Sequence, residues 1–315
     1  MAERVCYVYG IVPAGGRWSS VSAAVAGAPA GIDAAAIGLV ADSGAAALLS
    51  RLDGEQNAPE VIADRTADIG WLAPRARSHD AVVTWASDLG PVIPLPMFSM
   101  FTDENAVRAM LRERSGELLG TLERVSGARE YTVRVYRSDE RIARDLATVS
   151  ERVTTLELAA RDASPGQRYL LERKLEKERA EEIRRVSAEV ARETWSALAA
   201  CSTDAVSDPL PPAAAGAGHG SVRGELGVAL PADGGSMAVT AGAQDATVAE
   251  TASGPGGTAI LSAAFLVADL SLEGFRELLS RQIARFEPAG FDFEFTGPWP
   301  PYHFVEIDRG GENDA

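Results

Sequence analysis

Hydrophobic positions that recur every second residue, or run without interruption, predict strands in both halves of the chain. Residues 5–12 are rich in β-branched and aromatic types and indicate an opening strand. A nearly continuous apolar run at 259–267 is typical of a strand in the centre of a sheet. The segments predicted from these patterns as strands are 5–12, 34–41, 130–137, 259–267 and 291–296.

Hydrophobic positions with the helical period of about 3.6 residues predict helices between these strands. The predicted helices are 43–53, 78–89, 102–122, 139–162, 165–200 and 271–286. His79 stands in the first turn of the helix predicted at 78–89, so we expect its side chain at the surface.

The longest predicted helix, at 165–200, begins with a strong start signal. Ser164 stands at the N-cap, Pro165 at the first helical position, and Gln167 completes a capping box. This helix carries eight basic and seven acidic residues, and its apolar positions form a narrow seam. A narrow seam on a charge-balanced helix indicates packing on one neighbour. We expect the preceding helix to be that neighbour, with a partner chain as the alternative.

Two apolar segments are broken by prolines, which lack the N–H that a helix or an inner strand needs. Pro94 and Pro96 confine residues 91–101 to an edge strand or an extended crossing, which we interpret as a kinked core strand. Beyond the strand at 291–296, three prolines stand within four positions. They predict that the chain leaves the sheet there as a stiff, extended arm carrying Trp299 and Tyr302.

The chain of 315 residues is long enough for two domains, and Ser126-Gly127 indicates the boundary. We expect an N-terminal α+β domain at 1–125 and a C-terminal domain at 128–315. From Tyr131 on, the element order is compatible with a ferredoxin-like α+β core with inserted long helices at about 139–200. The stretch 204–257 has 13 Ala and 11 Gly among its residues and little to bury, so we expect a flexible, mostly disordered insertion.

Charge and composition exclude several kinds of partner. The net charge of −15 argues against nucleic acid and against anionic lipid surfaces. The Ala-rich stretch 23–49 is interrupted by acids, proline and glycines, and is too broken to span a membrane. Two cysteines and no secretory leader predict a cytoplasmic protein.

Catalytic motifs are missing from the sequence. It has no Gly-x-Ser-x-Gly and no His-Glu-x-x-His motif, and its three histidines and two cysteines are not at metal-ligand spacing. We therefore predict no catalytic, metal or cofactor site. The alternative is an enzyme or small-ligand-binding protein, and it would need a deep pocket, with His303 between two aromatic residues as the best acid–base candidate.

Several segments resemble gas vesicle accessory proteins of the GvpL/GvpF family, in the same order along the chain. They are YVYGIVPA at 7–14, PVIPLPMFSMF at 91–101, RYLLERKLE at 168–176, SAAFLV at 262–267 and FEFTGPWPPYHFV at 293–305. The GPWPPY element is the most specific. The middle element departs from the family pattern, which is like PLRFGTVF with an arginine and a glycine; here Pro96, Met97, Ser99 and Met100 stand in those places.

The resemblance implies two α+β domains, of which the second is a modified ferredoxin-like fold with inserted helices. It also implies an accessory or minor structural protein, without enzymatic activity or cofactor, that is needed to assemble gas-filled, protein-walled organelles. The implied partners are the small hydrophobic shell protein and other gas vesicle accessory proteins, and the implied location is the gas vesicle or the cytoplasm.

The proline arm is our candidate for the contact with these partners. A stiff arm loses little entropy on binding, and Trp and Tyr are favoured interface anchors. The candidate partner-binding residues are Trp299, Pro300, Pro301, Tyr302 and Phe304. The alternative is that these residues only hold the C-terminus on its own domain.

Overall fold

The computed structural model describes residues 4–19, 25–208, 237–238 and 257–305. These residues combine helices with two antiparallel sheets and divide into two compact units. The first unit contains 4–129, 237–238 and 299–305, and the second contains 130–208 and 257–298, within the described ranges. The arm therefore belongs by its contacts to the first unit, whereas the sequence led us to place it in a domain at 128–315.

The elements are numbered here in chain order. The strands are β1 Arg4–Pro13, β2 Gly38–Asp42, β3 Ala45–Asp53, β4 Ile93–Pro94, β5 Ser99–Phe101, β6 Ala128–Arg137, β7 Asp204–Ser207, β8 Met237–Ala238, β9 Thr258–Ala268 and β10 Phe291–Trp299. The α-helices are α1 Pro59–Arg65, α2 Ile69–Leu89, α3 Glu104–Glu113, α4 Ser115–Arg124, α5 Asp139–Val149, α6 Glu151–Asp162, α7 Pro165–Ala199 and α8 Leu272–Phe286.

In the first unit, the predicted opening strand is β1, and it lies in the middle of the sheet. The strand order of this sheet is β2-β3-β1-β5-β8, and β4 also pairs with β1. The proline-broken segment therefore lies along β1 as two short strands, with Ile93 opposite Ile11 and Met100 opposite Tyr7. Both faces of β1 are buried, which places Tyr7 and Tyr9 in the core.

The predicted helix at 43–53 is wrong, because this segment is strand β3. Alanine and leucine favour helix in isolation, but this weak preference is overridden by tertiary contacts. β3 pairs with β1 on one side and β2 on the other, and its residues Ala45–Leu49 are inaccessible to solvent. The strand at 34–41 also begins later than predicted, at Gly38, after a 3₁₀ turn at Ile32–Ala34.

Helix α2 begins nine residues before its predicted start at residue 78. Asp68 is the N-cap, and its carboxylate accepts hydrogen bonds from Gly70 N–H at 2.9 Å and Trp71 N–H at 3.4 Å. The helix then continues through Pro74, so that His79 lies in its middle. The prediction that His79 is a surface residue is therefore wrong: its side chain is buried.

The position of the cap gives a direct test of this helix start. Asp68→Ala is expected to lower the free energy of unfolding by about 1 kcal/mol, because two helix N–H groups lose their acceptor. Ser78→Ala is the matched control: Ser78 lies inside the helix, where alanine is the better helix former. Denaturant unfolding of both variants checks this, and a larger loss from Ser78→Ala would contradict the observed start.

In the second unit the strand order is β10-β6-β9-β7, and β9 lies inside the sheet as predicted. Along the chain the elements follow one another as strand, helices, two strands, helix and strand. The beginning of the predicted insertion at 204–257 is ordered, since β7 pairs with β9 and places Val206 opposite Ala264. Most of that insertion lies outside the described residues.

The long helix α7 was predicted to within one residue. Its seam packs on its own unit, with Leu175, Val190 and Leu198 buried in the core of that unit. An ion pair of 2.5 Å between Arg179 and Glu157 joins α7 to α6, the preceding helix. The helix predicted at 139–162 is two helices, since Ser150 ends one and caps the next.

Candidate functional site

The candidate partner-binding residues begin with the last residue of β10 and continue beyond it. The strand continues through Pro298 to Trp299, past the end predicted at 296, because β10 is an edge strand where a missing N–H costs no ladder bond. The arm beyond it is not fully extended as predicted. Residues Tyr302–Phe304 form a 3₁₀ turn, in which the N–H of Phe304 donates to the carbonyl of Pro301 at 3.2 Å.

Four of the five candidate residues are held by the first unit. Pro300, Pro301 and Phe304 are buried, and Tyr302 is half-buried against the core of that unit. The guanidinium of Arg124 donates to the carbonyl of Phe304 at 2.7 Å, which ties the backbone of the arm to α4.

Trp299 is the remaining candidate, and it has a different environment. Its exposed fraction is 41%, a large value for a tryptophan next to a buried segment. The structure thus separates the arm into an outward-facing indole and a buried anchor. The burial of Pro300, Pro301, Tyr302 and Phe304 supports the alternative that they hold the chain on its domain.

A buried hydrogen-bonded network lies in the core of the first unit. The Tyr7 hydroxyl accepts a hydrogen bond from Phe98 N–H at 3.2 Å and is hydrogen-bonded to His79 Nδ1 at 2.8 Å. Nearby, the Tyr9 hydroxyl donates to Ser50 Oγ at 3.0 Å. Sequence reasoning missed this network; its signal was a pair of tyrosines in an otherwise apolar strand, since buried hydroxyls need partners.

Burial dominates the electrostatics of this network. It lowers the pKa of His79 to about 4, because the charged imidazolium would lose its hydration, and a hydrogen bond with the Leu95 backbone opposes this only in part. Burial also raises the pKa of Tyr7 well above its ordinary value. Both side chains are therefore neutral near pH 7, and the network is a structural element of the core.

Phe98 has an unusual backbone for its residue type. Its φ is +63°, in the left-handed region that costs non-glycine residues energy. Here the phenylalanine ring stacks on Trp71, with ring centroids 5.8 Å apart and planes within 7°, which offsets the backbone cost.

The second unit has two open hollows. One, of about 470 Å³, is lined by Ala200, Cys201, Ser202, Thr203, Leu270, Ser271 and Gly274. The other, of about 400 Å³, is lined by Glu273, Arg276, Glu277, Ser280 and Arg281. Neither contains His303, the acid–base candidate of the alternative hypothesis.

Within residues 4–19, 25–208, 237–238 and 257–305, no group of three or more His, Cys, Asp or Glu residues could hold a metal ion. No helix among those residues has the length and apolarity required to cross a bilayer.

Known proteins resemble the chain in both sequence and fold. Its sequence is 29% identical over 244 residues to "Gas vesicle protein L" of Streptomyces sp. (strain CB03234), an alignment that covers 77% of this chain and 73% of that protein. The crystal structure of GvpF from Anabaena sp. PCC7120 superimposes with a TM-score of 0.59 at 14% identity, covering 99% of this chain and 100% of the other.

GvpF from Microcystis aeruginosa gives a TM-score of 0.57 at 12% identity, over 96% and 99% of the two chains. At these identities the two crystal structures show a shared fold. The sequence model of a family described as "Gas vesicle synthesis protein GvpL/GvpF" matches residues 5–306, nearly the whole chain. The chain therefore belongs to the GvpL/GvpF family of gas vesicle proteins.

Proposed function

We propose that this protein acts in gas vesicle assembly, as an accessory or minor structural component that works through protein–protein contacts and catalyses no reaction. Its proposed partners are the gas vesicle shell protein and other gas vesicle accessory proteins, which it meets in the cytoplasm or at the vesicle. The observation that carries this proposal is the family match over residues 5–306.

The most direct test is genetic. Deleting the gene in a host that makes gas vesicles is expected to abolish them or reduce their number strongly, and re-supplying the gene is expected to restore them. Electron microscopy of intact cells measures the outcome. A deletion strain with vesicles of normal number and shape would contradict the proposal.

We also propose that the second unit is a modified ferredoxin-like fold. Its support is the succession β6, helices, β7, β9, α8, β10 together with the strand order β10-β6-β9-β7. In this interpretation α5, α6 and α7 are the inserted helices between the first two strands.

For the partner contact we propose that the residues of the arm have two different roles. Trp299 meets the partner, while Pro300, Pro301, Tyr302 and Phe304 hold the indole in place. A side chain fixed before binding loses little entropy when it binds, and tryptophan is the residue type most enriched at interface hot spots. The support is the contrast between the exposed indole and its buried neighbours.

Trp299→Ala is therefore expected to weaken binding to the shell protein by about tenfold or more, with a circular dichroism spectrum that shows a folded chain. Leu119→Ala is the matched control, because Leu119 has nearly the same exposed fraction, 40%, in the same unit. Titration of labelled shell protein measures both. Equal affinities for the native chain and Trp299→Ala would remove the indole from the interface.

A further inference from the structure

The turn between α6 and α7 exposes large apolar side chains. Leu158, Tyr169 and Leu170 have exposed fractions of 54%, 60% and 67%. They lie at the free end of the hairpin formed by the two helices, and we call this surface the hairpin tip. Apolar side chains of this size that cluster on a surface mark an interaction site.

The hairpin tip is also basic, although the whole chain is acidic. Residues 158–174 contain four basic and two acidic residues, against a net charge of −15 for the chain. Arg168 donates to two carbonyls at the end of α6 and secures the turn. Arg161, Arg173 and Lys174 are exposed beside the apolar side chains, so the tip suits an acidic partner surface.

Acidic side chains and one fully exposed leucine lie at the other end of the same helix. The hollow of about 470 Å³ forms where α7 ends and α8 begins, and we call it the acidic hollow. Leu270 on its rim is fully exposed, and Gly274 leaves its wall open. Residues 200–204 and 269–274 contribute three acids, Asp204, Asp269 and Glu273, and no Lys or Arg.

The two surfaces are complementary but cannot meet within one molecule. They lie at opposite ends of α7, which has 35 residues and at 1.5 Å per residue is about 52 Å long. The hollow is open to solvent, and the exposed Leu270 on its rim is available for contact with the tyrosine and leucine side chains of the tip. Two copies would then form an apolar contact, with the basic residues of the tip facing the acidic residues beside the hollow.

We propose that copies of this chain associate head to tail, with the hairpin tip of one copy in the acidic hollow of the next. Such a contact joins two different surfaces, so a pair of copies keeps one free surface of each kind. Association therefore continues into rings or open chains. This self-association goes beyond the proposed function in vesicle assembly and does not depend on it.

Two variants test the proposal, each altering one surface at exposed positions where folding is not at risk. Tyr169→Glu with Leu170→Glu places negative charge on the tip, and Leu270→Arg places positive charge on the hollow. Each is expected to raise the Kd of self-association about tenfold or more. The control is Ile69→Glu, which changes an equally exposed apolar residue of the first unit and is expected to leave the Kd unchanged.

Mixing the two variants gives the decisive result. The tip variant retains its hollow and the hollow variant retains its tip, so the mixture is expected to associate through these two native surfaces. Sedimentation velocity over concentrations from about 1 to about 100 µM measures the size of the native chain, the variants and the mixture.

A native chain that stays monomeric throughout would overturn the proposal. So would a mixture that forms no pairs, or a Leu270→Arg variant that associates as the native chain does, which would indicate a contact between two tips. Binding of the tip to vesicles of anionic lipid without self-association would also overturn it, in favour of a membrane surface.

Discussion

Lowering the pH from 6.5 to 4 is expected to reduce the free energy of unfolding of the native protein by about 3 kcal/mol more than that of a His79→Gln variant. The cause is the burial of a neutral imidazole. Its pKa is about 4 in the folded protein, against an ordinary value of 6.5 for an exposed histidine. Between these two pH values the unfolded chain binds a proton that the folded chain does not.

The sign follows from proton linkage. Stability rises with pH wherever the unfolded state binds more protons, so the contribution of His79 is fully present above pH 6.5 and is lost as the pH falls to 4. Glutamine fills a similar volume and does not titrate. The variant is expected to be less stable at pH 7, because the hydrogen bond with Tyr7 is altered, but its stability should depend less on pH.

Urea unfolding curves at intervals of half a pH unit measure this difference. Carboxylates such as Glu104, whose pKa is lowered by hydrogen bonding to Arg51, titrate in both proteins and cancel in the comparison. If the free energy of unfolding depended on pH in the same way for the native chain and His79→Gln, the pKa of His79 would be the same in the folded and unfolded states, which would contradict the prediction.

Substitutions at Phe98 are expected to have the second large effect on stability. At this position a glycine variant is expected to be more stable than an alanine variant. Phe98→Ala removes a buried ring that stacks on Trp71, and a loss of about 3–5 kcal/mol is expected. Phe98→Gly loses the same contacts but relieves the left-handed backbone, which costs non-glycine residues about 1–2 kcal/mol. The glycine variant is therefore expected to be about 1 kcal/mol more stable than the alanine variant.

The matched pair is Phe101→Ala and Phe101→Gly. Phe101 is also buried but lies in strand β5, where glycine is expected to be worse than alanine by about 0.5–1 kcal/mol. Denaturant unfolding of all four variants gives the two differences. If the alanine variant were more stable than the glycine variant at both positions, the backbone of Phe98 would carry no strain.

The sequence predicted those elements in which local preference and burial agree. Strand β9 is β-rich and buried, and α7 has its own start signal, so both were predicted closely. Strand β3 was predicted as a helix because its alanines favour helix, and only the strands on either side of it impose the extended form. Helix propensity is too weak to decide such a case.

The candidate site was predictable only in part, for a related reason. The aromatic and proline composition of the arm indicated a special segment, in which Trp299 is exposed. Which side chains face inward depends on contacts with residues far away in the chain, such as Arg124. The same holds for His79, whose partner Tyr7 is 72 positions away.

The anchored arm has a consequence for biosynthesis. The ribosome makes residues 299–305 after every residue of the second unit, yet these residues complete the core of the first unit. Until they emerge, the nascent first unit exposes the apolar surface that Phe304 and its neighbours later cover. The first unit is therefore completed only after the second unit has been synthesised, which reverses the usual order in which the N-terminal domain matures first.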